Sequence, residues 1–161
     1  MHKIQFNSFS LLLCIGLGLS FNLVYAKSTS FEEVNSQVVI FNNLQQQGLI
    51  ITGEQSSVVI DPINQDTAEE IKSYLLSNKK PKITEIVYSH SHWDRITGGK
   101  IFDASNPNII AQKNCGLYFS GIKNKKVVDP TIYFDQIYEI NIGTEIIKLH
   151  YFGPSHGECM L

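Results

Sequence analysis

The sequence predicts one mixed α/β layered domain, and three observations point there. Short apolar runs of strand length precede a single amphipathic helix, and further strand-like runs follow it. At 161 residues the chain has room for one domain at most. Hydrophobic residues make up 43% and the net charge is −2, the balance of a chain that folds around a core. The same near-neutral balance sets nucleic acid aside as a partner, because its binders carry a basic face. No charge run marks a membrane-surface patch.

Residues 1–26 read as an export signal rather than part of the fold. His2 and Lys3 give a positive start, Phe9 to Leu19 is mostly apolar, and Val24-Tyr25-Ala26 fits a signal-peptidase cut. An uncleaved anchor competes, since no charge lies between Lys3 and Lys27, but Asn7, Ser8, Ser10, Ser20 and Asn22 weaken it. A lipoprotein cut at Cys14 is disfavoured by bulky Leu13 before it. The mature chain, 27–161, is expected in the periplasm or outside the cell, with no stable membrane association after cleavage. Its two cysteines, Cys115 and Cys159, could pair in an oxidising compartment. They give no framework spacing, however, so two core-packed thiols are expected.

Gln37 to Phe41, Leu49 to Thr52 and Ser57 to Ile60 read as an antiparallel meander, with Asn42-Asn43 and Gly48 as turn residues between the first two strands. Pro62 ends the third. Asp66, with Glu69 three residues on, reads as the cap of a helix over Thr67 to Asn78. Ala68, Ile71 and Leu75 recur there at helical spacing. Ile83 to Val87 and Asn108 to Ala111 follow as strands, Lys113 to Ser120 as a brief helix, and Thr131 to Phe152 as two strands around a Gly143-Thr144 turn.

The chemistry lies in His90-Ser91-His92-Trp93-Asp94-Arg95, directly after the Ile83 strand. Two imidazoles at i and i+2 on an extended or turning backbone can face one cation, and imidazole with carboxylate suits Zn²⁺ or a related divalent ion. His156, in Gly153-Pro154-Ser155-His156-Gly157, offers a third ring. Three protein ligands with one open position describe a catalytic site rather than a structural one. Blander readings stand beside this one. The histidines could be loop residues, Asp61 a turn cap, His150 a sheet residue, Trp93 packing or pocket wall, and Lys123, Lys125 and Lys126 a solvated loop.

Together these residues resemble the metallo-β-lactamase superfamily. His90-x-His92-x-Asp94 matches its first metal motif, and Gly98-Gly99 the pair that commonly follows. Gly153 to His156 is similar to the segment with its third histidine, and Val58 to Pro62 to the strand that ends in a structural aspartate. The resemblance implies an α/β/β/α sandwich with the metal site at one edge of two sheets. It implies that His90, His92 and His156 hold a first zinc ion. Asp94 would bind a second ion or orient the attacking hydroxide, and Asp61 would support the site from behind. It also implies a domain that continues past the third histidine, so residues 27–161 are expected to be its N-terminal portion, incomplete at the C-terminus.

Arg95 departs from the common pattern, in which a further histidine helps hold a second zinc. A fixed cation repels that ion, so one or two zinc ions remain open. The function implied is zinc-dependent hydrolysis of a small ester, lactam, lactone or thioester. Zinc brings the pKa of its water to about 7 and makes hydroxide available. The alternative is a truncated, non-catalytic remnant that keeps only the first metal site.

Overall fold

The computed structural model of the chain describes residues 29–119 and 127–161. Strands β1 (Thr29–Glu33), β2 (Val38–Asn43), β3 (Gln46–Thr52) and β4 (Ser57–Ile60) form an antiparallel meander. Helix α1 (Gln65–Ser77) then crosses over to β5 (Ile83–Tyr88). β5, β6 (Asn108–Gln112) and β7 (Ile132–Phe134) continue the same sheet in parallel, giving seven strands in chain order. β8 (Ile137–Asn141) and β9 (Ile146–His150) form a separate antiparallel hairpin.

Strand alternation divides the interior in two. Val59, Ile86, Tyr88, Ile109 and Ala111 face α1 with Ala68, Ile71 and Leu75. Val58, Val87 and Ile110 face the hairpin, against Ile140, Ile142 and Leu149. The central strands are therefore apolar on both faces, as parallel strands between two layers must be. Helix, large sheet and small sheet are three layers of the expected α/β/β/α sandwich. The outer face of β8–β9 carries Ile137 and Ile146, both more than half exposed, beside a Lys148–Glu139 ion pair at 2.8 Å.

Several expectations are corrected. β1 was not anticipated. The β2–β3 hairpin turns at Leu44-Gln45, where Leu44 has φ +55°, not at Asn42-Asn43. Gly48 lies inside β3 opposite Phe41, where a Cβ would run into the Phe41 ring and the Ile60 and Asp61 carbonyls. The α1 cap is Asn64, whose side chain accepts from the Thr67 amide at 2.9 Å; Asp66 sits in the first turn. Thr131 to Phe152 makes three strands rather than two, because β7 pairs with β6. The brief helix is a 3-10 turn (Lys113–Cys115) continued by α3 (Gly116–Phe119). The two cysteines are not separate core thiols, because Cys115 and Cys159 form a disulfide. The export signal over 1–26, Ser120 and the lysine cluster lie outside the described residues. Among the described residues no helix is long and apolar enough to cross a membrane.

Candidate metal centre

The site forms beyond the carboxyl ends of β4 and β5, where open parallel sheets place their ligands. β5 ends at Tyr88, and the chain turns through Ser89 to His92 into the short helix α2 (Trp93–Ile96). That connection points His90 inward, 5% exposed, and leaves His92 at the surface. His156 arrives from the loop after β9. Ring centroids are 4.6 Å apart for His90–His92, 5.1 Å for His92–His156 and 5.9 Å for His90–His156. One nitrogen from each ring lies within 4.8 Å of the others.

Asp61, directly after β4, is buried and in the left-handed region at φ +52°. Its carboxylate accepts from the Ser89 amide at 2.8 Å and from the Ser89 hydroxyl. Ser89 Oγ in turn lies 2.8 Å from His90 Nδ1. Burial pushes the Asp61 carboxyl up to about 6; the bonds from Ser89 and the nearby Arg95 pull it down, and Asp94 pushes it up. At neutral pH Asp61 is ionised and accepts only. The single Ser89 hydroxyl proton then goes to Asp61, Ser89 Oγ accepts from His90 Nδ1–H, and Nε2 carries the His90 lone pair. Burial lowers His90 to about 4, helped by His92, Arg95 and His156 and opposed by Asp94. The ring is neutral at pH 7, the state a metal ligand requires.

Asp94 is outside the histidine grouping; its Oδ2 accepts from Gln46 Nε2 at 2.6 Å. Arg95 donates from Nη1 to the Gln47 carbonyl at 3.1 Å. Both side chains therefore tie the histidine segment to the β2–β3 hairpin. The backbone locks the other side: Ile63 N–H donates to Arg95 O at 2.7 Å and Gly98 N–H to Ile63 O at 3.1 Å. A Cβ on Gly98 would collide with the Pro62 and Asn64 carbonyls, and one on Gly99 with the Tyr88 hydroxyl. The Gly98-Gly99 pair thus serves close backbone approach. Ser89 was missed in the sequence; its role depends on an aspartate 28 residues earlier, and no local pattern marks it.

A cavity of about 410 Å³ opens beside the trio, lined by Ser91, His92, Trp93, Tyr118, His156, Gly157 and Glu158. Trp93 is 60% exposed and forms its wall. His150 is a sheet residue stacked on Phe152 at 5.7 Å.

The donor set fits a divalent ion. Tetrahedral zinc with bonds of about 2.0–2.1 Å wants nitrogens roughly 3.4 Å apart. The nitrogens of the trio lie within 4.8 Å of one another, and His92 and His156 are exposed. Three imidazoles with no fourth protein donor in the group leave a position for water or substrate.

No family model and no curated protein matches the chain. Solved structures do. The structure is similar to the metallo-β-lactamase from Pontibacter korlensis, with a TM-score of 0.69 and 18% identity over 81% of this chain and 64% of that one. It is similar to the DIM-1 metallo-β-lactamase, TM-score 0.67 and 17% identity over 83% and 63%. It is also similar to the metallo-β-lactamase MIM-1 from Novosphingobium pentaromativorans, TM-score 0.68 and 14% identity over 81% and 53%. The chain thus spans between about half and two thirds of these solved chains. At such identities the likeness is one of fold. The chain has the metallo-β-lactamase fold, with three histidines from two separated segments gathered at the end of its parallel strands.

Proposed function

We propose that the protein is an exported, metal-dependent hydrolase of a small ester, lactam, lactone or thioester, with zinc as the ion. The single observation that carries this reading is the convergence of His90, His92 and His156. A zinc ion held there would supply a nucleophile at neutral pH and polarise a carbonyl. The chain's own residues do the rest. Ser89 and Asp61 hold His90 in one tautomer, as partners behind a ligand commonly do. Asp94, held by Gln46, is the carboxylate available to take a proton or bind a second ion. Trp93 and Tyr118 give the adjoining cavity apolar walls for the substrate body. Arg95, bonded to Gln47, disfavours a second ion near it. The Cys115–Cys159 bond supports export, since such bonds persist in oxidising compartments.

A second reading is that these residues hold an ion without turnover. It starts from the low identity of the similar solved chains, 18% and 14%, at which a shared fold does not carry a shared activity. Metal analysis and a hydrolysis panel of lactam, lactone, ester and thioester, run on the wild type and on His92→Ala and His156→Ala, separate the two. Zinc-dependent turnover lost in both variants supports the hydrolase. Metal binding with no turnover supports the second reading, and equal metal content in all three proteins rejects both.

A further inference from the structure

We infer that the Cys115–Cys159 crosslink is a positioning device for the third imidazole, so that closing this bond sets how tightly the trio holds a divalent ion. The inference rests on the reading of the trio as a metal site. His90 and His92 sit where β5 runs into α2, fastened by Asp61, Gln46 and Gln47. Among the described residues, His156 has no such side-chain hydrogen bond. Its loop is exposed from Pro154 to His156, and a Cβ added at either flanking glycine, Gly153 or Gly157, would meet nothing within 4 Å.

The excursion is held at its ends and by a few hydrogen bonds within it: Ser155 N–H donates to Gly157 O at 3.1 Å, and Ser155 Oγ lies 3.5 Å from Met160 Sδ. Tyr151 N–H donates to the Gln136 carbonyl at 2.9 Å, and Leu161 N–H to the Ser89 carbonyl at 3.0 Å. Between them, the Tyr151 hydroxyl donates to Glu158 O at 2.7 Å. Asn114 Nδ2 contacts the Tyr151 hydroxyl at 3.2 Å and Glu158 O at 3.4 Å. The sole covalent tie among the described residues is Cys159 to Cys115, three residues past His156, with both cysteines fully buried. Cys115 lies just past β6, in the sheet that carries β5, so the bond references His156 to the same frame as His90 and His92. Without it, the packing of Tyr151 and Leu161 at the loop's ends and the few hydrogen bonds between them limit how far the third ring strays, and the ion must order that loop on binding.

The test is a zinc titration of the full chain against a chromophoric chelator. It compares the oxidised wild type, Cys115→Ser/Cys159→Ser, His156→Ala, and all three substitutions together. Serine rather than reduced cysteine is used so that no free thiolate adds a ligand. The double serine variant should bind zinc about 10–100-fold more weakly, the usual cost of losing a group that orients a ligand. In the His156→Ala background the serine pair should cost nothing further, because the crosslink acts through that ring. Unchanged affinity in the double variant, or the same loss in both backgrounds, overturns the inference. A wild type that binds no zinc rejects the metal reading itself and this inference with it, a distinguishable result. Circular dichroism checks folding, and Cys115→Val/Cys159→Ala serves as an apolar second pair. If neither pair folds, the bond holds the domain rather than the loop, and the inference fails.

Discussion

Asp61 and His90 share one serine yet respond to acid in opposite senses, which gives the metal-free protein a specific pH signature. His90 binds its proton near 4 when folded and near 6.5 when unfolded. Its contribution to stability is therefore complete above about 6.5 and lost as pH falls toward 4. Asp61 is raised to about 6 from 3.8, so its contribution is present below 3.8 and lost as pH rises to about 6. The two offset each other between 4 and 6. Asp61→Asn should uncover the histidine: urea stability of the metal-free variant should fall more steeply from pH 6.5 to 4 than that of the wild type. An equally flat profile would contradict this assignment. Leu44 offers a separate test, being 89% exposed at φ +55°. Leu44→Asn should stabilise the protein by about 1 kcal/mol, since asparagine tolerates that conformation; denaturant midpoints measure it. The histidines were legible as residues because metal-binding chemistry is tied to side-chain type, whereas Asp61 stood out only through the family resemblance. Ser89 was not legible, because a hydroxyl acquires its role only from what folding brings beside it.

At the scale of elements, periodicity did most of the work. The β2–β4 meander, α1 and β5 follow from alternation and helical spacing that burial enforces. β1 escaped because it is an edge strand whose Phe31 is flanked by Ser30, Glu32 and Glu33, a pattern that says little without its partner β2. The α1 cap was misplaced by two residues because Asn64 and Asp66 are both good capping types. Asn64 wins by meeting the Thr67 amide. Asn64→Ala should cost about 1 kcal/mol and Asp66→Ala distinctly less in chemical denaturation. The reverse order would restore the cap read from the sequence. Gly98→Ala should be strongly destabilising, because the added methyl meets backbone carbonyls that belong to the site's own frame.

Across the whole molecule, the disulfide joins elements 44 residues apart and crosslinks the large sheet to the loop after the small one. Removing it should lower stability by roughly 2–4 kcal/mol, a figure that thermal or denaturant unfolding can check. Its pairing was hidden in the sequence, since spacing alone does not place two distant thiols in space. The mixed α/β class was legible from the succession of strands, helix and strands, and the layer order came from the family resemblance. The assignment of β7 to the large sheet was not, because β7 and β8 read as one continuous run. The account stands on three imidazoles sharing one ion, and X-ray absorption at the zinc edge of the loaded protein tests that most directly. The wild type should give a spectrum with three imidazole ligands, falling to two in His156→Ala. A wild-type spectrum without imidazole scattering, or one that His156→Ala leaves unaltered, would contradict the account.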